Sequence, residues 1–261
     1  IPQAFLSRLV GAIARCPWGF IKNPFIEKFI RRYGVDMSLA LEENPRAYAN
    51  FNAFFTRALK PGARPICAGV DSLCCPADGA ISQLGEIKQG RIFQAKGQDF
   101  SVLELLGGQA DLAQAFTDGL FATVYLSPKD YHRVHMPCAG ELQRMVHIPG
   151  DLFSVNTVTA QQVPRLFARN ERVVCYFSTA FGPMVVVLVG AMIVASIETP
   201  WAGVVAPVRN QVLTFHYTHA PSVSLVKGEE MGRFLLGSTA IVLLPKGAAR
   251  WREDLTEGSP V

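Results

Sequence analysis

The chain has 261 residues, ample for a large buried core, and its 25 basic and 21 acidic side chains give a formal net charge of +4. This balance is not typical of a nucleic-acid binder, so we expect no nucleic-acid partner. Hydrophobic residues make up 49% of the chain and charged ones 18%, which excludes a disordered protein. The mean hydropathy of +0.21 is high for a freely soluble protein and raises the question of a membrane.

Positive charge is concentrated at the start of the chain. Residues 1–33 hold six basic side chains and one acidic one, a local net charge of +5 that leaves −1 for the rest. Apolar residues recur at helical spacing from Phe5 to Ile13. Asn23, Pro24 and Gly34 predict the N-cap, the first position and the end of a second helix. Its apolar face comprises Phe25, Ile26, Phe29, Ile30 and Tyr33.

Two interpretations of this second helix are open. An amphipathic helix can pack on the protein's own core, or it can lie in a bilayer interface, where each Lys or Arg adds about 1 kcal/mol of attraction to anionic lipid. Because the whole excess of positive charge lies in residues 1–33, we expect this segment to contact an anionic membrane surface.

A third helix is predicted from Asn44-Pro45 to Pro61-Gly62, and beyond it short apolar runs alternate with turn residues, as in antiparallel strands. The twelve apolar residues from Met184 to Ala195 are too few for a membrane-spanning helix, which needs about 20, and Gly190 within them predicts a bulge or a break between two strands. The predicted strands are Phe121–Leu126, Val173–Phe177, Met184–Ile197, Val204–Val208, Val212–Phe215, Val223–Val226 and Ala240–Leu244.

The predicted fold class is therefore α+β. N-terminal amphipathic helices form a membrane-docking segment, residues 1–60, and a largely antiparallel β core follows, residues 61–261. Nothing at the start of the chain resembles a secretory signal. The six cysteines are too few for a disulfide scaffold and form no CxxC pair, so we expect reduced and mostly buried thiols in a cytosolic compartment.

Four of the five histidines form two HxxH pairs, His132/His135 and His216/His219. Neither pair has a third ligand nearby in the sequence, so metal binding is the minor interpretation and no metal site is expected. The first pair lies in a polar stretch, residues 127–137, that follows a predicted strand and is itself predicted to be a loop, where functional side chains concentrate. The second pair is predicted to lie at the surface or in a turn.

Asp78, His135 and Ser238 supply the three side-chain types of a charge relay. In such a relay the carboxylate orients the imidazole, and the imidazole takes the proton of the hydroxyl. Taken alone, Asp78-Gly79 predicts only a turn, and Gly237-Ser238 between two apolar pieces could be a strand edge. Any large protein contains these residue types, so composition gives the set little weight.

Seven segments in this order make the chain similar to the phosphatidylserine decarboxylase family in its short bacterial form. The resemblance covers nearly the whole chain, although Cys75 stands where a Ser is expected. The segments are residues 51–57 (FNAFFTR), 76–79 (PADG), 130–137 (DYHRVHMP), 149–156 (PGDLFSVN), 166–172 (LFARNER), 227–234 (KGEEMGRF) and 236–239 (LGST).

The resemblance implies a proenzyme that cuts itself between Gly237 and Ser238, giving a β chain (1–237) and an α chain (238–261). Asp78 and His135 occupy the family's relay positions for this cleavage. The Ser238 hydroxyl attacks the Gly237 carbonyl, where the lack of a Cβ permits a close approach, and elimination of the resulting ester followed by loss of ammonia leaves a ketone. Ser238 thereby becomes a pyruvoyl group, the expected cofactor.

The implied reaction is decarboxylation of phosphatidylserine to phosphatidylethanolamine through a Schiff base between the pyruvoyl carbonyl and the substrate amine. We expect His135 to act in both stages, and His132 to position the substrate carboxylate or to protonate the product. The expected partners are phosphatidylserine, an anionic membrane contacted by residues 1–33, the two chains of the precursor and a second copy in a homodimer. The expected location is peripheral, on the cytoplasmic face of the bacterial inner membrane.

Two other classes of function stay open on the residues alone. A serine hydrolase could use the same Asp78, His135 and Ser238, but the motif GxSxG is missing because positions 236 and 240 are Leu and Ala. A non-enzymatic membrane-surface β module would use these side chains only structurally. Cleavage at position 238 separates the decarboxylase from both alternatives.

Overall fold

The computed structural model describes residues 11–191, 196–206, 211–219, 221–235 and 238–261. Within these ranges the core is an antiparallel sheet of eight strands. In spatial order they are β1 (Ala80–Glu86), β4 (Leu120–Leu126), β14 (Ser238–Leu244), β8 (Gly182–Gly190), β7 (Arg172–Thr179), β6 (Gly140–Ile148) and β11 (Leu213–His216), while β12 (Ser224–Leu225) also pairs with β6.

Two smaller sheets and several short helices complete the described fold. A four-stranded sheet has the order β10 (Gly203–Ala206), β9 (Ile197–Thr199), β13 (Glu230–Phe234) and β5 (Arg133–His135), and β2 (Arg91–Ala95) forms a hairpin with β3 (Gln98–Ser101). The helices are Gly19–Tyr33, Phe51–Phe55, Val102–Leu105, Ala110–Ala113, Thr157–Gln162 and Leu166–Arg169, with a 3-10 turn at Gln114–Phe116 and helical backbone at residues 11–15. The α+β class is confirmed.

The large sheet is buried on both faces. Along β8, Met184, Val186 and Leu188 pack into one apolar cluster, which includes the four-stranded sheet. Val185, Val187 and Val189 pack into a second cluster, which includes the β2–β3 hairpin and the short helices. A strand covered on both faces has no polar side, which is why this segment is a continuous apolar run in the sequence. β8 ends at Gly190, where a bulge or a break was predicted, and residues 192–195 beyond it lie outside the described ranges.

The Gly19–Tyr33 helix begins earlier than predicted. Pro24 lies inside it rather than at its first position, and Asn23 is not its N-cap. The extra turn is anchored by Lys22, whose ammonium group donates hydrogen bonds to the carbonyls of Arg46 (2.8 Å) and Tyr48 (2.7 Å). The predicted end is confirmed, since Gly34 adopts a left-handed conformation (φ 68°) and its N–H caps the helix.

The apolar face of this helix packs on the protein itself. Ile26 is fully buried, and the Phe29 ring lies 5.0 Å from Phe51 and 5.9 Å from Phe55, centroid to centroid. This face is therefore not free to enter a bilayer, contrary to one of the two interpretations. The most exposed aromatic side chains of this segment are Trp18 (61% exposed) and Phe20 (77%) at the start of the helix, and Tyr33 at its end is 42% exposed.

The third predicted helix is shorter than expected and covers Phe51–Phe55. Asn44 accepts a hydrogen bond from the Arg46 N–H in a local turn, whereas Asn50 caps the helix by accepting from the Ala53 N–H. Leu59 is already extended, paired with Ala40. Among the described residues, none of the helices combines the length and apolar character needed to cross a membrane.

The prediction of mostly buried thiols is wrong. Cys138 and Cys175 are buried, but Cys67 and Cys75 are exposed and the other two cysteines are partly exposed. Both exposed thiols line a surface cleft, which accounts for their exposure. All six are free thiols, with the Sγ atoms of Cys67 and Cys74 3.1 Å apart.

Candidate active site

Ser238 is the first residue of β14 and lies inside the large sheet. It pairs with Leu126 of β4 on one side and with Gly190 of β8 on the other. The residue is fully buried, and its Oγ has no hydrogen-bond partner among the described residues. Gly237, on the other side of the predicted cleavage point, lies outside those residues. A buried hydroxyl without a partner is costly, so its retention calls for a functional explanation.

Two chain paths bring His132 close to Ser238. The Phe234 N–H donates to the His132 carbonyl (3.0 Å), and the four residue steps from Phe234 to Ser238 span at most about 14 Å. From the other side, a turn closed by Ser127, whose N–H and hydroxyl donate to Asp130 (both 2.7 Å), connects the strand partner of Ser238 to His132. The two residues therefore lie at the same end of the sheet.

His132 is fully buried, and the stretch 127–137 is not all loop as predicted, because β5 (Arg133–His135) lies within it. The His132 ring lies against Phe55, with the centroids 4.0 Å apart. Because a carbonyl only accepts, the 2.8 Å contact with the Asp130 oxygen makes Nδ1 the donor, which leaves a lone pair on Nε2 without a partner among the described residues. Burial lowers the pKa of His132 to about 3, so the ring is neutral.

His135 lies on β5 and is held at both nitrogens. Nδ1 donates to the Gly228 carbonyl (2.9 Å), so Nε2 has the lone pair and accepts from the Tyr131 hydroxyl (3.1 Å). Burial raises the pKa of Tyr131 to about 12, which keeps this hydroxyl protonated. The tautomer is the one that a general base requires, with Nε2 ready to take a proton.

Asp78 is positioned by a close backbone approach at Gly79. A Cβ on Gly79 would lie 2.1 Å from the Tyr125 carbonyl oxygen, so only glycine fits. The Asp78 carboxylate accepts from Arg64, whose Nε lies 2.8 Å from each of its oxygens. β1 and β14 flank β4, so Asp78 and Ser238 lie at one end of the sheet, two strand spacings or about 10 Å apart.

Asp78 and His135 line one cleft of about 860 Å³, together with Tyr131, Arg133 and Glu230. Ser238 and His132 are buried beside it rather than in its described wall. The predicted hydrogen-bonded relay is not formed among the described residues, because Asp78 is bonded to Arg64 and His135 to Gly228 and Tyr131. The relay itself stays a prediction.

Comparison with known proteins agrees with the sequence motifs. A family model described as phosphatidylserine decarboxylase matches residues 51–261. The chain belongs to this family. A second family model, described as PSD, matches residues 1–34.

Curated relatives of this phosphatidylserine decarboxylase family chain match it over its whole length. Two proteins from Pseudomonas fluorescens, each named phosphatidylserine decarboxylase proenzyme, are 61% (strain SBW25) and 62% (strain Pf0-1) identical to all of this chain, which covers 92% of each. A protein of the same name from Stutzerimonas stutzeri is 59% identical and 89% covered.

For this family member, sequence reasoning missed the partners of the site residues. Tyr131 and Gly228 fall within the similar segments and could have been considered, but nothing in the sequence joins Arg64 to Asp78. His216 and His219 are exposed, as predicted. Within the described ranges, no cluster of three or more His, Cys, Asp or Glu side chains could hold a metal ion.

Proposed function

We propose that this chain converts phosphatidylserine to phosphatidylethanolamine and carbon dioxide, and that it does so after cutting itself between Gly237 and Ser238. Family membership supports the decarboxylation. The observation that best supports self-cleavage is the fully buried Ser238 hydroxyl, which has no hydrogen-bond partner among the described residues.

Burial separates self-cleavage from hydrolysis of an external substrate. An α/β-hydrolase presents its serine at an exposed strand-to-helix turn, whereas Ser238 begins a strand paired on both sides. In the uncut chain this hydroxyl is closed to a second molecule but lies within a few bonds of the preceding carbonyl, and such intramolecular reactions have very high effective concentrations. The position of Ser238 therefore favours attack on its own backbone.

In the proposed cleavage, the Ser238 Oγ bonds to the Gly237 carbonyl carbon, the amide C–N bond breaks and the freed nitrogen takes up a proton. Loss of the Ser238 Cα proton then expels Gly237 as a carboxylate, and addition of water releases ammonia. His135 has the base tautomer for the first step. The predicted relay would be complete if the Nδ1–H of His135 donated its hydrogen bond to the Asp78 carboxylate, which lines the same cleft, instead of to the Gly228 carbonyl.

The buried end of the sheet fits the pyruvoyl group that we propose as cofactor. The ketone would supply an electrophilic carbonyl for the substrate amine and an electron sink for the loss of carbon dioxide. Ser238 and the neutral His132 are both fully buried, and the Phe55 ring packs on His132, so water is kept from both side chains in the uncut chain. A neutral His132 brings no positive charge to a substrate carboxylate, and its Nε2, which has a lone pair and no proton, can accept a hydrogen bond from a substrate N–H.

Carbon dioxide release from dioctanoyl-phosphatidylserine tests the proposed activity. We expect Ser238→Ala to abolish turnover, whereas Ser224→Ala, at an exposed position of β12, should retain it. His132→Gln should still cut itself but lose decarboxylation. Turnover by an uncut Ser238→Ala chain would contradict the proposal, and ester hydrolysis without release of carbon dioxide would favour the hydrolase instead.

We also propose peripheral attachment to an anionic membrane, on the cytoplasmic face of the bacterial inner membrane, through residues 1–33. The described part of this segment supports the proposal with Trp18 and Phe20, which are exposed and stacked with centroids 5.8 Å apart, and with Arg31 and Arg32 in the last helical turn. Replacing Arg31 and Arg32 together by Gln, which leaves the packed face of the helix intact, should weaken sedimentation with anionic vesicles while sparing self-cleavage. Unchanged sedimentation would refute this attachment.

A further inference from the structure

Arg57 is a buried arginine whose guanidinium group is largely unsatisfied. The residue is only 4% exposed, and its one hydrogen bond runs from Nη2 to the Lys129 carbonyl at 3.1 Å. Nε and Nη1 have no partner among the described residues. Burial lowers the pKa of Arg57, but an arginine side chain stays charged in proteins. Arg57 is therefore a buried positive charge with N–H groups that are free to donate hydrogen bonds.

A second buried arginine shows what a purely structural role looks like in this fold. Arg172 is 3% exposed, and all three of its nitrogens donate to backbone carbonyls, those of Leu105, Asn170 and Glu104, at 2.7–2.8 Å. Burying a charge is tolerated when such partners replace water. Arg57 has only the Phe54 ring, 5.6 Å from its Cζ, in addition to its one hydrogen bond, so its free N–H groups in the described protein indicate an anion supplied from outside.

Arg57 lies next to the cleft, so an anion that binds in the cleft can reach it. The preceding residue, Thr56, accepts a hydrogen bond from the cleft residue Arg133 (2.9 Å), and the following residue, Ala58, lines the cleft. Phe55, two residues earlier, covers His132. Arg57 therefore lies between the cleft and the buried end of the sheet where Ser238 is located.

We propose that Arg57 binds the phosphodiester group of the phospholipid substrate, an inference that rests on the proposed function. The substrate has two anionic groups, a carboxylate and a phosphodiester, and the change in charge during the reaction decides which of them Arg57 can bind. A positive charge on the carboxylate would stabilise the very charge that disappears as carbon dioxide leaves, which would slow the reaction. The phosphodiester keeps its charge throughout, so binding it holds the substrate at no cost to the chemical step.

A comparison of two substrates tests the assignment in the mature enzyme. Dioctanoyl-phosphatidylserine has the phosphate, whereas O-octyl-serine has the same amine and carboxylate without it. We expect Arg57→Gln to lower kcat/KM about 10- to 100-fold for the first substrate and to leave the second nearly unchanged. Arg57→Lys, which keeps the charge with fewer donors, should fall between. The control Arg172→Gln should lower thermal stability without changing the ratio of the two substrates.

A binding measurement makes the test independent of self-cleavage. Ser238→Ala precursor is titrated calorimetrically with dioctanoyl-phosphatidylethanolamine, which has the phosphate but no carboxylate. We expect Arg57→Gln in this background to weaken binding by the same 10- to 100-fold. If self-cleavage at Ser238 is not observed but this loss of binding is, the proposed mechanism is refuted and the role of Arg57 is not.

Three results would overturn the inference about Arg57. Equal losses on both substrates would indicate a structural or carboxylate-binding role. Unchanged phosphatidylethanolamine binding in the Arg57→Gln precursor would exclude the phosphate directly. If the Ser238→Ala precursor that retains Arg57 bound inorganic phosphate as tightly as the lipid, the site would be one for free phosphate and not for a lipid headgroup.

Discussion

Gly79→Ala tests how the fold positions Asp78. The added Cβ would lie 2.1 Å from the Tyr125 oxygen, and ordinary contact begins near 3.4 Å, so the start of β1 would have to move away from β4 by about 1.3 Å. Asp78, the preceding residue, would move with it. A misplacement of about 1 Å can cost about 100-fold in rate, so we expect self-cleavage to slow by about that factor.

The same substitution should also destabilise the protein. Forcing an extra carbon into a packed site costs about 1–3 kcal/mol, and the positive φ of Gly79 (148°) adds backbone strain. The rate is measured by denaturing electrophoresis of freshly made precursor over time. Stability is measured by urea unfolding in the Ser238→Ala background, so that both proteins are uncut.

Gly97→Ala is the matched control for this experiment. Gly97 also has a positive φ (74°), but a Cβ there meets nothing within 4 Å, so only a backbone cost of about 1 kcal/mol is expected. Its position in the β2–β3 hairpin lies outside the site, and self-cleavage should proceed at the normal rate. Normal self-cleavage and normal stability in Gly79→Ala would refute the account of how Asp78 is positioned.

Three further predictions follow from individual side chains. Burial lowers the pKa of His132 from 6.5 to about 3, so as the pH falls from 7 to 5 this histidine is protonated in the unfolded chain but not in the folded one. Urea unfolding should therefore show a loss of about 2 kcal/mol between pH 7 and pH 5 that is missing in His132→Gln; equal pH dependence in both proteins would contradict the burial. Hydrogen bonds from Ser72 and Cys74 lower the pKa of the Cys67 thiol to about 7, so peptide mass spectrometry should find its alkylation by iodoacetamide rising steeply between pH 6 and 8. Rates at Cys67 no faster than those of the other exposed thiol would refute this. Replacing Trp18 and Phe20 together by Ala should weaken sedimentation with anionic vesicles at least tenfold, and equal sedimentation would exclude the two rings as the contact.

The sequence predicted the central strands of the large sheet and also three short strands, β10, β11 and β12. β4, β7, β8 and β14 are buried in the middle of the large sheet, so their residues are apolar on both faces and local pattern suffices to find them. β6 was missed for a physical reason. A bulge between Leu142 and Arg144 interrupts its two-residue period, and Arg144 pairs with Asp111 instead of facing solvent alone.

The helix boundaries failed where distant contacts decide them. The early start of the Gly19–Tyr33 helix depends on the bonds from Lys22 to carbonyls 24 and 26 residues away. Local cap and proline signals cannot report such contacts. The prediction of a domain boundary at residue 60 is not tested by these contacts and stays a prediction.

For the candidate site, the sequence supplied the residue types and the structure supplied their surroundings. The similar segments point to Asp78, His132, His135 and Ser238 from the sequence alone. Burial of His132 depends on Phe55, 77 residues away, and therefore could not be read from residues 127–137. The bond between Gly228 and His135 likewise joins distant parts of the chain, so the tautomer of His135 could not be predicted.

Intact mass spectrometry of the purified, active protein tests the central claim most directly. Self-cleavage predicts two polypeptides, residues 1–237 and 238–261, with the smaller one lighter by one ammonia than a peptide that begins with serine. Ser238→Ala should give one polypeptide of the uncut mass and no activity. An active preparation that consists only of the uncut chain, with an ordinary serine at position 238, would contradict the account.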